Sequence, residues 1–155
     1  MRTDRPRRRF RPRCLALGMI LAWIIALYVP KFVIAAAGVV NGPDGVLATT
    51  WYLTDQVEIS AKVALALLTT TLLLAARLVP LGPQLRLFAD ALLGTAAMLL
   101  LLALLPASWS DGIGIGLTGR RFDPMTLPAY LVGGFLAGLA YSLADQKCGE
   151  LTPPD

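Results

Sequence analysis

ALLGTAAMLLLLALLPASWS, residues 91–110, is a run of twenty positions without a charged side chain. A second run of this kind, PMTLPAYLVGGFLAGLAYSLA, covers residues 124–144. A helix of about 20 residues rises about 30 Å, which matches the thickness of a bilayer's hydrocarbon core. Both stretches therefore predict helices that cross a membrane.

The composition of the whole chain agrees with a membrane protein. Only 15% of the 155 residues are charged, whereas a typical soluble domain has about 25%. The chain contains no histidine, which argues against histidine-ligated haem, a Ser-His-Asp triad and most zinc sites. We therefore expect no cofactor, no metal site and no catalytic residue.

Two further apolar blocks raise the number of predicted spans to four. We expect an all-α integral membrane bundle, in which a longer outer loop follows the first helix. A basic segment (1–13) precedes the membrane domain (14–144), and a polar tail (145–155) follows it. The predicted spans cover approximately residues 14–30, 61–79, 85–106 and 124–144.

Basic residues predict the orientation of these spans. The first thirteen residues contain seven arginines, and segments rich in Lys and Arg stay on the cytoplasmic side. With four spans, both termini and the connection between Arg77 and Arg86 are then cytoplasmic. Arg120 and Arg121 fall on the outer side, against the rule, but the larger N-terminal cluster outweighs them. We expect a bacterial inner-membrane protein whose N-terminus contacts anionic lipids.

The end of the first span has two interpretations. Residues 32–40 either continue the helix beyond Pro30 or lie along the membrane interface. The second interpretation is favoured, because Lys31 can extend towards the headgroups and Tyr28 suits an interfacial position.

The N-terminus also has competing interpretations. The basic segment, the apolar block and Ala35–Ala37 resemble a cleavable signal peptide. Arg7-Arg8-Arg9-Phe10 resembles part of a twin-arginine signal. An uncleaved anchor is favoured, since the basic segment is long. Binding of nucleic acid is not expected, because orientation and lipid contact already account for the charge.

Local signals predict turns and helix starts. Residues 41–45, Asn-Gly-Pro-Asp-Gly, form a strong turn signal. Thr54 followed by Asp55 predicts a helix start, with an acid in the first turn. Asp123 followed by Pro124 predicts the start of the fourth span.

Small residues spaced along the first and fourth spans predict close helix packing. Gly134 and Gly138 form a GxxxG motif, which lets two helix backbones approach each other closely in lipid. Contact within one chain is favoured over a dimer interface. The expected packing residues are Gly18, Ala22, Ala26, Gly133, Gly134, Ala137 and Gly138.

Few polar residues lie within the predicted spans. Asp90 is the acid nearest the bilayer interior, and Arg86 lies one helical turn earlier, where the two can form an ion pair. Thr70 lies in the middle of the Thr69–Thr71 run. These hydroxyls are expected to bond to carbonyls of the preceding turn. Alternatively, Asp90 and these threonines line a polar path.

Two other motifs carry little functional weight. Residues 114–119 match GxGxxG, but a dinucleotide site requires a surrounding βαβ unit, so a turned loop is expected. Cys14 and Cys148 are expected as reduced cytoplasmic thiols.

The C-terminal half resembles a family of small four-span bacterial membrane proteins of unknown function. The residues that carry the resemblance are 112–117, the polar step to Pro124, and the end of the fourth span, Leu-Ala-Tyr-Ser-Leu-Ala at 139–144. The family's cytoplasmic connection is longer and has a Gly-x-x-Phe step, which residues 80–84 lack. The resemblance implies the four-span fold and no activity.

Three functions are compatible with these features. The leading hypothesis is a non-enzymatic accessory, assembly or structural component that contacts other membrane subunits or a second copy of itself. The first alternative is a small homo-oligomeric channel or carrier that uses Asp90 and Thr69–Thr71. The second is a lipid-acting enzyme that uses the charged residues of the 111–123 loop.

Overall fold

The computed structural model describes residues 12–40, 42, 44–104 and 124–150. All regular secondary structure in these segments is helical. The helices are α1 (Pro12–Ala36), α2 (Val46–Asp55), α3 (Ile59–Ala75), α4 (Pro83–Leu104) and α5 (Leu127–Glu150), and a short 3-10 helix, Ala76–Leu78, continues α3.

Four helices in the described segments are long and apolar enough to cross a membrane: Arg13–Ala36, Ile59–Leu78, Pro83–Leu104 and Leu127–Cys148. The prediction of an all-α protein with four membrane-spanning helices is confirmed. The segment predicted as an outer loop differs in one respect, because it contains the ten-residue helix α2.

Helix α5 lies at the centre of the bundle. It packs along α1 on one side and along α4 on the other, whereas α3 packs mainly on α4 and α2 on α1. Apolar side chains from all five helices form one core, which includes Ala22, Leu53, Leu73, Leu102 and Tyr141. The remaining faces of the long helices expose many large apolar side chains, as expected where lipid is the solvent.

The favoured interpretation that the first helix ends near Pro30 is wrong. Helix α1 runs through Pro30 and ends at Ala36. Proline removes one backbone hydrogen bond, a loss that helices in membranes tolerate where a neighbouring helix packs against the site. Here the buried ring of Pro30 occupies the space left by Gly133 on α5, where a Cβ would lie 2.7 Å from the ring Cδ.

Lys31 is also placed differently from the expectation. Its side chain is buried, and its ammonium lies 5.4 Å from the centre of the Tyr130 ring on α5. A cation above an aromatic face is stabilised by the ring quadrupole. The lysine therefore joins α1 to α5 instead of extending towards the headgroups.

Two predicted helix starts differ from the observed ones. Thr54 and Asp55 end α2, and α3 begins at Ile59 after the N-cap residue Glu58. Helix α5 begins at Leu127 instead of Pro124, and the Thr126 carbonyl accepts bonds from the amides of Ala129 and Tyr130.

The end of α5 lies beyond the predicted span. The helix continues to Glu150, so it includes residues predicted as a polar tail. The N-terminal arginines before residue 12 and the 105–123 segment, with its GxGxxG motif and charged residues, lie outside the described residues.

Candidate functional site

Helix α5 has one small-residue face that packs on α1. Gly133 contacts Pro30, and a Cβ at Gly18 would meet Ala144 and Tyr141 at 3.3 and 3.4 Å. Ala22, Ala26 and Ala137 are buried in the same core cluster. Of the predicted packing residues, Gly18 and Gly133 thus lie at the contact between α1 and α5.

The GxxxG pair forms a separate face of α5 that packs on α4. A Cβ at Gly134 would lie 2.6 Å from the Gly94 carbonyl oxygen. One at Gly138 would overlap the backbone of Asp90 and lie 2.8 Å from the Ala91 Cα. Gly94 is not among the predicted packing residues, although Asp90, Gly94 and Met98 share the spacing of four residues that marks one face of a helix.

This close approach positions Asp90 inside the protein. The α4 and α5 backbones are nearly in contact at Gly138, and the Asp90 side chain is fully buried. Around it lie Arg77 from the 3-10 turn after α3, Arg86 from α4, and Ser142 and Asp145 from α5, all near enough to affect the carboxyl group electrostatically. We call Arg77, Arg86, Asp90, Tyr141, Ser142 and Asp145 the charge cluster.

Arg77 connects two helices within the charge cluster. Its Nη1 donates to an Asp145 carboxylate oxygen at 2.6 Å, and its Nε donates to the Tyr141 hydroxyl at 3.1 Å. Its guanidinium also lies over the Tyr141 ring, 4.9 Å from the centre. Tyr141 is completely buried and the two ionic side chains are each 22% exposed. This arrangement fixes the end of α3 to α5.

The predicted ion pair between Arg86 and Asp90 is not formed. Arg86 instead donates to the carbonyls of Ala76 and Val79, at 2.5 and 2.9 Å. Ala76 begins the 3-10 turn, where its carbonyl also accepts from the Val79 amide at 3.3 Å, and Val79 directly follows the turn. Carbonyls at a helix end lack some of their intrahelical partners. A charged donor satisfies such groups well, so Arg86 holds the α3–α4 connection.

Asp90 differs from the other charged groups of the cluster. Neither carboxyl oxygen has a hydrogen-bond partner within the described segments, and the same holds for Ser142 Oγ and Arg77 Nη2. Buried polar atoms are almost always paired. Three such groups from three different helices in one cluster identify this place as the polar centre of the bundle.

The threonine run forms hydrogen bonds within α3 and between α3 and α1. Thr70 donates to the Ala66 carbonyl at 2.6 Å, and Thr71 donates to the Leu67 carbonyl at 2.8 Å. The Trp23 indole of α1 donates to the Thr70 hydroxyl at 3.2 Å. The expected bonds to the preceding turn are formed at these two threonines, and Thr70 has both its donor and acceptor engaged.

The two cysteines form a disulfide, which contradicts the expectation of two separate thiols. Cys14 lies near the start of α1 and Cys148 near the end of α5, and their Cα atoms lie 5.9 Å apart, within the range that a disulfide requires. The sequence could not indicate this pairing, because 134 residues separate the cysteines. The bond closes the same end of the bundle at which the charge cluster lies.

The side chains of the charge cluster can form ion pairs and hydrogen bonds and can exchange protons. Within the described parts of the chain, no group of His, Cys, Asp and Glu side chains is suited to hold a metal ion. The charge cluster can stabilise helix contacts, and Asp90 can bind or release a proton. No known protein family, curated protein or solved structure matches the chain.

Proposed function

We propose that the protein is a small, non-enzymatic accessory or structural component of a membrane assembly. The observation that supports this proposal is the use of charged side chains as links between helices. Arg77 joins α3 to α5 and Arg86 joins the ends of α3 and α4. Gln146 of α5 donates to the Pro83 carbonyl of α4 at 3.2 Å. These groups stabilise a bundle instead of lining a path or facing a substrate.

The channel or carrier alternative relies on Asp90 and the threonine run. Thr70 already bonds to Ala66 and Trp23, and Thr71 bonds within its own helix. Two engaged hydroxyls in the run of three offer few free ligands to a passing solute. The alternative therefore rests on Asp90 and the buried Thr69.

Solute flux in proteoliposomes separates these two functions. We expect purified protein to conduct neither Na⁺ nor K⁺ above the level of empty vesicles, with Asp90→Asn and wild type giving the same trace. The matched control is Asp55→Asn, which removes an exposed acid at the end of α2. Flux that falls in Asp90→Asn and persists in Asp55→Asn would establish transport instead.

The lipid-acting enzyme alternative depends on the acids and arginines of the 111–123 loop. Those residues lie outside the described part of the chain. No observation favours this alternative over the accessory role.

The proposal includes a bacterial inner-membrane location with both termini cytoplasmic. The seven N-terminal arginines support this orientation, and they would also contact anionic lipids. The cytoplasm keeps thiols reduced. This orientation therefore requires that Cys14 and Cys148 be separate thiols in the cell and that the disulfide of the structure form only under oxidising conditions.

Thiol labelling in spheroplasts tests this orientation. A membrane-impermeant maleimide is expected to label neither cysteine, with or without an impermeant reductant, and to label both after lysis under reducing conditions. The control is the Cys14→Ser/Cys148→Ser variant, which removes both cysteines of the chain. Labelling of intact spheroplasts that requires the impermeant reductant would place the disulfide, and both termini, outside.

A further inference from the structure

The strongest unexplained feature of the molecule is the set of unpartnered atoms around Asp90. The Asp90 side chain is 0% exposed and Ser142 is 1% exposed. Among the described residues, both Asp90 oxygens, Ser142 Oγ and Arg77 Nη2 are buried without a hydrogen-bond partner. Asp145, by contrast, accepts a direct bond from Arg77 at 2.6 Å. Asp145 therefore has a cationic hydrogen-bond donor, whereas Asp90 has none in the described part of the chain.

An ionised carboxylate is very unfavourable in the Asp90 position. Such a charge is strongly destabilised when it is removed from water without hydrogen bonds, and buried groups of this kind usually become neutral instead. Acids inside membrane-spanning helices are rare for the same reason, and they mark proton or ion sites. A neutral carboxylic acid satisfies the site better, because its O–H can donate to a nearby acceptor such as the Ser142 hydroxyl.

We propose that Asp90 is an intramembrane protonation site that holds one exchangeable proton. In the neutral form, the carboxylic acid carries the proton and Arg77 remains on Asp145. In the ionised form, the proton has passed to water, and Arg77 Nη2 supplies a free positive donor for the carboxylate. The exchange changes no covalent bond other than the O–H bond of Asp90.

The groups around Asp90 favour the binding of a proton to its carboxyl group over the binding of a metal cation. Arg86 on the same helix and Arg77 at the end of α3 both act on the carboxyl group with positive charge. On α5, Asp145 is already paired with Arg77, and Tyr141 accepts from the same arginine. A calcium ion prefers six to eight oxygen ligands, and among the described residues the buried oxygens without a hydrogen-bond partner belong to Asp90 and Ser142.

Infrared spectroscopy of the protein in lipid vesicles tests the proposal. At neutral pH, the wild type is expected to show the carbonyl stretch of a protonated carboxylic acid, and Asp90→Asn is expected to lack it. The band should disappear at high pH and return when the pH is lowered. The exposed-acid variant Asp55→Asn should retain the band. Equal spectra for the wild type and Asp90→Asn, or a band that no pH change removes, would overturn the proposal.

A second measurement covers the case in which Asp90→Asn does not fold, as judged by its melting temperature and elution volume. The wild type in vesicles is treated with an apolar carbodiimide, which reacts with protonated carboxyl groups in lipid, and the modified residue is identified by mass spectrometry. We expect modification at Asp90 that decreases as the pH rises and is unaffected by Na⁺. No modification of Asp90 would overturn the proposal. Protection by Na⁺ at constant pH would do so as well, because it would indicate a cation site.

Discussion

Gly138→Ala is expected to be the most damaging single substitution in the bundle. The new Cβ would overlap the Asp90 backbone and lie 2.8 Å from the Ala91 Cα. Backbone atoms cannot move aside as a flexible side chain can, so α4 and α5 must separate. We expect the free energy of unfolding to fall by at least about 3 kcal/mol, the upper end of the usual range for overpacking.

The matched control for this substitution is Gly82→Ala. A Cβ at Gly82 would meet no atom within 4 Å, so the same chemical change should alter stability by less than about 0.5 kcal/mol. Reversible denaturant titration in mixed micelles measures both variants. A Gly138→Ala protein as stable as the Gly82→Ala protein would show that α4 and α5 do not make this close contact.

Arg77→Ala is expected to have the second largest effect. The substitution leaves Asp145 without its guanidinium partner and removes the group that covers the Tyr141 ring. Removing one member of a buried ion pair costs about 3–5 kcal/mol. Because Arg77 and Asp145 are each 22% exposed, we expect a loss at the lower end, about 3 kcal/mol.

A double-mutant cycle tests whether this loss of stability comes from the ion pair between Arg77 and Asp145. Combined with Asp145→Ala, Arg77→Ala should show a coupling energy of at least about 1 kcal/mol. Lys147→Ala is the control, since Lys147 is an exposed cation near the same end of α5. Additive effects of Arg77→Ala and Asp145→Ala would indicate that the ion pair contributes nothing to the contact between α3 and α5.

The sequence predicts the number of spans well, because the signal is local. A charge inside lipid is costly, so the uncharged runs at 91–110 and 124–144 mark two of the four helices directly, and shorter apolar blocks mark the other two. Helix ends are less predictable, since tertiary contacts determine them. Nothing near Pro30 indicates that Gly133 provides room for its ring more than a hundred positions later.

The composition of the charge cluster follows from the topology, which the sequence does not specify. Arg86 is one turn from Asp90, and local spacing suggests that these two residues pair. In the structure, Arg86 donates to carbonyls of the connection between α3 and α4. Arg77 pairs with Asp145, which is 68 residues away in the sequence. Arg77 and Asp145 each lie near the end of a span, where the sequence alone indicates only a side chain that reaches water.

The disulfide also follows from the way in which the helices pack. Cys14 and Cys148 meet because α1 and α5 lie side by side over most of their length. The small residues of both helices predict that contact, but the register that brings the two cysteines together depends on details such as Pro30 against Gly133. Whether the two thiols can pair therefore depends on packing along the whole interface between α1 and α5. No local motif determines it.

The mass of the native assembly tests the proposed accessory role most directly. The protein is extracted from membranes in a mild detergent or in lipid discs, and the intact particle is weighed under native conditions. We predict a particle that contains the 16.6 kDa chain together with a different membrane protein in a fixed ratio. An isolated monomer, or a particle built only from copies of this chain, would contradict the account.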